Sequence, residues 1–148
     1  MRYAHTNLVA RDWRRLANFY MEVFGCVPLP PERDLEGDWL DRATGLTGAH
    51  LRGIHLRLPG HGSDGPTLEV FEYDGSRPQS EPMPDRHGFG HVAFQVDDVP
   101  ATLERLLTAG GSRLGEVVRA DIPGAGDLEV VYARDPEGNI IELQSWLA

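Results

Sequence analysis

An internal repeat limits the fold of this chain more than any other feature of the sequence. When the second half of the chain is aligned with the first at a shift of 86 residues, three pairs of residues are identical: His5 and His91, Asp12 and Asp98, Gly25 and Gly111. These positions belong to a strand, a helix N-cap and a helix stop. A shift of 73 residues superimposes Glu69 on Glu142. We therefore predict an α+β fold of two βαβββ modules with curved mixed sheets around a shared cleft.

The first module is predicted over about residues 1–74. Residues 3–9 alternate as a strand, and the apolar spacing after Trp13 predicts a helix that Asp12 caps and Gly25 ends. Further strands are predicted at 49–59 and 67–73, around a turn at 61–66. Between helix and strands we predict a short strand near 26–29, then a long loop or a short helix around Trp39–Ala43, since Pro30-Pro31 excludes a central strand.

A polar, proline-bearing linker at 75–87 precedes the second module, which is predicted over about residues 88–148 of this single domain. It begins with a strand at 91–96. A helix follows, capped by Asp97 or Asp98 and ended by Gly110-Gly111. Three more strands are predicted near 114–120, 128–134 and 139–146, the last two joined by a turn at 135–138.

Composition narrows the class of partner. A net charge of −9 over 148 residues argues against nucleic acid or an anionic membrane as the main partner. A single cysteine excludes an internal disulfide and a cysteine-rich zinc site. The sequence has no apolar run of membrane-spanning length and no signal-peptide core, which predicts a cytoplasmic protein. We therefore expect neither nucleic acid nor a membrane as a partner.

The repeated histidine and glutamate are the candidate metal ligands. Taken singly, His5, His91 and Glu69 have ordinary explanations as strand residues at the surface or in the core. Glu142 is harder to explain, because it lies in the apolar run 139–144, where an ionised carboxylate needs a partner. Together, two imidazoles and two carboxylates suit one divalent ion of zinc, nickel, cobalt, iron or manganese.

At these residues the chain resembles the vicinal oxygen chelate superfamily, which includes glyoxalase I, methylmalonyl-CoA epimerase, extradiol dioxygenases and the fosfomycin and bleomycin resistance proteins. The segments that carry the resemblance are HTNLVARDWRRLANFY, TLEVFEY, GFGHVAFQVDDV and DPEGNIIEL. The resemblance implies paired βαβββ modules, a homodimer, and a metal site made by His5, Glu69, His91 and Glu142.

The four-ligand pattern is most similar to glyoxalase I. The epimerase usually has glutamine at the position of Glu69, and extradiol dioxygenases typically use two histidines and one glutamate. Two glutathione-binding positions of glyoxalase I differ, however: Val9 replaces an arginine and Tyr73 replaces an asparagine. Both changes remove partners for a glutathione carboxylate. The resemblance therefore predicts a glyoxalase- or epimerase-like lyase or isomerase that does not use glutathione.

The resemblance implies a small-molecule substrate with a carbonyl group, from which a proton is removed at the adjacent carbon through a metal-stabilised enediolate. Glu142 is predicted as the base and Glu69 as the group that returns the proton. The predicted substrate-binding walls are the residues in strand register with a ligand: Asn7, Phe71, Tyr73, Gln95 and Gln144; for Phe71 and Tyr73, core packing is the alternative. The alternative functions are a non-catalytic binding protein of the bleomycin-resistance type and an iron-dependent ring-cleaving dioxygenase. His50, His55 and His87 are predicted to lie at the surface or behind the ligands.

Overall fold

The computed structural model describes residues 1–78 and 80–147. It separates into two compact units, Met1–Pro78 and Gln79–Ala148. The first unit contains β1 (His5–Val9), α1 (Trp13–Phe24), β2 (Val27–Glu36), α2 (Asp38–Thr44), β3 (His50–Arg57) and β4 (Thr67–Tyr73). The second contains β5 (Val92–Gln95), α3 (Val99–Thr108), β6 (Ser112–Arg113), β7 (Val118–Ile122), β8 (Gly126–Arg134) and β9 (Ile140–Leu147).

Each unit has one mixed sheet in which its first strand lies parallel to its last. The first sheet has the order β1-β4-β3-β2, and only the β1–β4 pair is parallel. The second has the order β5-β9-β8-β6, with β7 also paired to β8, and only the β5–β9 pair is parallel. The predicted α+β class with two mixed sheets is confirmed.

The helix that follows each first strand is fixed by its caps and by one apolar face. The Asp12 carboxylate accepts a hydrogen bond from the Arg15 backbone N–H at 3.0 Å, and Gly25 ends α1 in the left-handed conformation at φ 68°. In α3 the Asp98 carboxylate accepts from the Ala101 N–H at 2.8 Å. Asp98 is thus the N-cap of the two candidates.

The end of α3 differs from the prediction. The helix stops at Thr108, and the glycine with positive φ is Gly110, at 97°, one residue before the predicted partner of Gly25. The Gly111 N–H instead donates to the Leu106 carbonyl at 3.0 Å. The repeat therefore holds at the helix start and shifts at the helix stop, because α3 is two residues shorter than α1.

Apolar residues fill the face of each sheet against which its helix packs. Helix α1 packs against β3 and β4, and α3 packs against β8 and β9. The side chains that are fully buried in the strands alternate with the candidate ligands: Leu56, Val70, Ile141 and Leu143. The candidate ligands therefore point to the other face, which we call the ligand face of each unit.

The sequence-based prediction for 26–48 was wrong in the length of its strand. Strand β2 runs through Pro30-Pro31, a cis peptide bond, to Glu36. The two prolines are tolerated because β2 is an edge strand. The pairing of β2 with β3 is interrupted between Leu29 and Arg33, where the prolines lack N–H donors. The long-loop alternative is therefore excluded, and the short helix near Trp39 is α2.

The predicted strand at 114–120 was also misplaced. Residues 114–117 are irregular, and β6 and β7 flank them. Most of β7 is exposed, so its sequence has no burial alternation that could mark its ends. Within residues 1–78 and 80–147, no helix combines the length and hydrophobicity required to cross a membrane.

Candidate metal centre

In each sheet, one pair of opposite residues relates the two sequence offsets, 86 residues for the first strand and 73 for the last. Asn7 of β1 lies opposite Glu69 of β4. Ala93 of β5 lies opposite Glu142 of β9. Ala93 follows Asn7 by 86 residues and Glu142 follows Glu69 by 73, so both correspondences hold in the structure. The two histidine–glutamate pairs therefore occupy equivalent places in two similar sheets.

In the first unit, Glu69 is held by three donors. Its Oε2 lies 3.3 Å from His5 Nε2, and it accepts a hydrogen bond of 3.2 Å from the Asn7 side-chain amide. Its Oε1 lies 3.0 Å from His55 Nε2. The Glu69 side chain is only 12% exposed, whereas that of His5 is 44% exposed. A nearly buried carboxylate thus meets a histidine that opens to solvent.

His55 reaches Glu69 from the neighbouring strand β3, where the two residues are register partners. Its Nδ1 lies 3.1 Å from Thr67 Oγ1. Burial lowers the pKa of His55; the negative charge of Glu69 opposes this change, while Arg33 and His5 add to it. His55 is therefore an uncharged imidazole at neutral pH, held between a hydroxyl and a carboxylate.

In the second unit, Glu142 is held by two partners. His91 Nε2 lies 2.9 Å from Glu142 Oε2, and the Glu142 side chain is 14% exposed. The Tyr132 phenol hydrogen-bonds to Glu142, and burial together with this carboxylate raises the pKa of Tyr132. The Tyr132 and His91 ring centroids are 5.1 Å apart. Glu142 lies in an apolar strand, and the expectation that its carboxylate is paired is confirmed.

The distances within each pair fit two ligands of one divalent ion. Donor atoms on an ion with bonds of about 2.1 Å lie about 3.0–3.4 Å apart in octahedral or tetrahedral geometry. The observed separation of 3.3 Å lies within that range, and that of 2.9 Å lies just below it. Imidazole nitrogen and carboxylate oxygen also suit such an ion chemically. The same distances describe a direct histidine–carboxylate hydrogen bond.

Among residues 1–78 and 80–147, no group of three or more histidine, cysteine, aspartate or glutamate side chains is arranged to hold a metal ion. Each unit thus offers a pair of candidate ligands: His5 with Glu69, and His91 with Glu142. That all four bind one ion stays a prediction.

The predicted substrate-binding residues have different surroundings. Asn7 contacts Glu69 directly. Phe71 is 7% exposed and packs with Leu40, Ala49 and Leu51 in a hydrophobic cluster, against which Tyr73 also packs. The Phe71 ring centroid lies 5.8 Å from that of His55. Core packing therefore describes both aromatic residues.

On the second sheet, Gln95 and Gln144 are register partners on the ligand face. Gln95 is exposed and Gln144 is half-buried. They occupy the positions equivalent to Val9 and Phe71 of the first sheet. Their predicted role in binding substrate stays a prediction.

His55 and Tyr132 were not identified as site residues from the sequence, although the hairpin turns contain the signal. Folding the chain about the turn at 61–66 places His55 opposite Glu69, and folding it about the turn at 135–138 places Tyr132 opposite Glu142. The repeated histidine and glutamate lie at the first and last strands of the two halves, not in the strands that carry His55 and Tyr132. His55 therefore has a repeat partner, but the partner is a tyrosine.

The other histidine contacts lie away from the ligand pairs. His50 lies between the Asp34 and Asp74 carboxylates, at 2.6 and 2.8 Å. His87 is exposed. Burial raises the pKa of Cys26 to about 11, so its thiol stays protonated at neutral pH.

Comparison with known proteins agrees with this architecture. The model of the Glyoxalase/Bleomycin resistance protein/Dioxygenase superfamily matches residues 2–143. A probable lactoylglutathione lyase of Vibrio parahaemolyticus is 28% identical, with 96% of this chain and 88% of the relative covered. A probable lactoylglutathione lyase of Vibrio cholerae is 26% identical over the same shares.

Solved structures show the same fold. A glyoxalase family protein from Bacillus cereus superimposes with a TM-score of 0.84 at 21% identity, covering 100% of this chain and 95% of that one. A mutant of glyoxalase I from Zea mays has a TM-score of 0.66 at 25% identity and covers 97% of this chain and 44% of its own. Since the family model spans nearly the whole chain, this protein belongs to the Glyoxalase/Bleomycin resistance protein/Dioxygenase superfamily.

Proposed function

We propose that this protein is a metal-dependent lyase or isomerase that removes a proton from the carbon beside a carbonyl group of a small substrate. One observation carries the proposal: a nearly buried glutamate contacts a histidine at the same register position of both sheets, at 3.3 and 2.9 Å. A carboxylate with so little exposure needs a cationic or hydrogen-bonding partner, and both pairs supply metal-binding donor atoms. The proposed ligand set is His5, Glu69, His91 and Glu142.

The relatives support the reaction class more than the substrate. Two proteins named probable lactoylglutathione lyases align along nearly the whole chain, which favours a glyoxalase-like reaction. The residues at the two glutathione positions do not favour glutathione. Val9 is an exposed apolar side chain, and Tyr73 packs beside Leu51 and Phe71. Neither offers a cationic or amide partner for a peptide carboxylate.

A bound divalent ion would polarise the substrate oxygens and stabilise the negative charge that develops there. The protein groups have separate tasks. Glu142 would accept the proton from carbon, and its hydrogen bond from Tyr132 would keep the carboxylate oriented. Glu69, held by Asn7 and His55, would return the proton from the other side of the substrate.

Metal analysis and solvent-deuterium exchange together test the proposal. Purified protein is analysed for bound metal, stripped, and reconstituted separately with zinc, nickel, cobalt, iron and manganese. Deuterium incorporation from D₂O is then followed by NMR in hydroxyacetone, in acetoin and in the hemithioacetal of methylglyoxal with glutathione. We expect about one metal ion per pair of modules, and metal-dependent exchange in a small carbonyl compound, with weaker activity on the hemithioacetal.

The same experiment separates the alternatives. Tight binding of a small molecule without exchange in any metal form would favour the non-catalytic binding protein. Tightly bound iron with oxygen uptake on catechols would favour the ring-cleaving dioxygenase. Absence of metal binding would overturn the proposed function. Light scattering of the same sample tests the proposed homodimer.

A further inference from the structure

The connection from Thr67 through His55 to Glu69 is a continuous chain of side-chain contacts within the first unit. Thr67 Oγ1 lies 3.1 Å from His55 Nδ1, and His55 Nε2 lies 3.0 Å from Glu69 Oε1. His55 and Glu69 are register partners on neighbouring strands, and His55 is mostly buried, with 22% of its side chain exposed. Both nitrogens of the ring are therefore engaged on the ligand face.

The chemistry of the two contacts fixes the tautomer of the ring. A carboxylate only accepts hydrogen bonds, so the imidazole nitrogen that faces Glu69 must carry the proton. In a neutral ring the other nitrogen is then an acceptor, and the Thr67 hydroxyl can donate to it. Glu69 thereby selects the tautomer with the proton on Nε2, and the Thr67 hydroxyl, which can donate or accept, donates to the unprotonated Nδ1.

We propose, on the basis of the proposed metal-dependent function, that His55 is a positioning residue that holds Oε1 of Glu69 and leaves Oε2 to bind the metal beside His5. The distances support this division, because Oε2 is the oxygen nearest to both His5 Nε2 and the Asn7 amide, at 3.3 and 3.2 Å. Glu69 would then bind the ion through a single oxygen. Groups behind metal ligands in this way commonly change metal affinity about 10- to 100-fold.

The second unit contains the matching arrangement with a different side chain. Tyr132 lies opposite Glu142 in the register position that His55 occupies opposite Glu69. Its phenol donates to the carboxylate, as the proposed Nε2–H of His55 does. A donor to the glutamate thus recurs in both units although the residue type differs. A histidine that only filled space beside Phe71 would not predict this recurrence.

Two measurements test the role of His55, and the first needs no metal. Long-range ¹H–¹⁵N spectra of stripped protein at pH 8 report which nitrogen of His55 is protonated. We expect the Nε2–H tautomer in the wild type and in Thr67→Val, where the carboxylate still faces Nε2, and a mixture of tautomers in Glu69→Gln, whose amide can accept or donate. Observation of the Nδ1–H tautomer in the wild type would overturn the proposal.

The second measurement is Co²⁺ binding, followed by calorimetry and by the visible absorption that reports the coordination of cobalt. His55→Phe should weaken Co²⁺ binding about 10- to 100-fold and change the absorption spectrum. His55→Gln, whose amide can donate to Glu69, should recover most of the affinity. His61→Asn, in an exposed turn, is the matched control and should bind Co²⁺ as the wild type does.

Failure of the two proposals can be distinguished. If the wild type binds Co²⁺ but His55→Phe binds it within twofold with an unchanged spectrum, the positioning role is wrong and the metal function stands. If the wild type binds no metal, the metal function and the metal-directed role of His55 both fall, while the tautomer still decides whether His55 donates to Glu69.

Discussion

The two units share a backbone plan and differ in how firmly each holds its glutamate. Glu69 contacts His5, Asn7 and His55, whereas Glu142 contacts His91 and Tyr132. One difference in side-chain contacts arises at the residue opposite the glutamate. This residue is Asn7 in the first unit and Ala93, which has no side-chain donor, in the second. A carboxylate with fewer contacts is held less firmly in position and can turn towards a substrate more easily. The comparison therefore supports Glu142 as the base and Glu69 as the fixed ligand.

The largest expected effect is on the rate of solvent-deuterium exchange when either glutamate is replaced. Glu142→Gln should lower the rate of solvent-deuterium exchange about 10²- to 10⁴-fold, because a glutamine cannot accept the proton. Glu69→Gln should lower it less, once both variants are compared at equal metal occupancy. Exchange by NMR, with metal content measured on the same samples, checks this. A greater loss in Glu69→Gln would reverse the assigned roles.

The next largest effect concerns a position where the units differ in size. Gly53 of β3 is equivalent to Val130 of β8, and an added side chain at Gly53 would collide with the Val70 carbonyl oxygen and the Phe71 ring. Gly53→Val should therefore lower the free energy of unfolding by about 3 kcal/mol. Urea denaturation measures it. Gly62→Ala, which has open space around it, should change stability little; similar losses in both variants would contradict the explanation.

A smaller effect on stability is expected at the helix N-caps, where the two units are alike. Asp12 and Asp98 each accept a hydrogen bond from the backbone N–H three residues ahead, at 3.0 and 2.8 Å. Replacing either with alanine should cost about 1 kcal/mol of stability, and serine should restore most of it. Urea denaturation of the four variants gives both values. A loss confined to one helix would show that the repeat is not equivalent at its caps.

The smallest effect is a pH dependence found in the first unit. The hydrogen bonds that the His50 ring donates to the Asp34 and Asp74 carboxylates raise the pKa of His50, and the bond to His50 lowers the pKa of Asp74. The contribution of His50 is therefore complete below its unfolded pKa of about 6.5 and is lost as pH rises through the raised folded value. The contribution of Asp74 is lost as pH falls through its lowered value.

The melting temperature should thus fall more in His50→Asn at pH 5.5 than at pH 9. The matched change His61→Asn, at an exposed turn, should give no such difference between the two values of pH. An equal fall in melting temperature for His50→Asn at pH 5.5 and at pH 9 would show that the ion pairs of His50 do not contribute to stability.

The parts of the fold that the sequence predicted well are those where local chemistry and burial agree. Helix α1 combines a capping aspartate, an apolar face and a left-handed glycine, and it forms at the predicted residues. Strand β4 was predicted with its observed ends because a run of apolar, aromatic and β-branched residues lies between two turns. At β7 the residues are almost all exposed, so nothing in the sequence marked its ends.

The candidate site was predictable in its carboxylates and incompletely in their partners. Glu142 in an apolar strand required a partner, and the repeat indicated His91. His55 and Tyr132 escaped because a search for identical residues cannot detect two different donors in the same role. Their placement depends on pairing across a hairpin, which requires the register of β3 with β4 and of β8 with β9.

That register has a chemical consequence. In the β3–β4 hairpin, a slide of two residues would keep the same side chains on the ligand face but would exchange the neighbour of Glu69. The new neighbour would be Gly53 in one direction and Arg57 in the other. The first would leave an oxygen of the carboxylate without its imidazole, and the second would pair the carboxylate with a permanent cation. The strand register therefore decides which side chain faces Glu69, so changes in the connecting turn of related hairpins offer a route by which one scaffold acquires different reactivity.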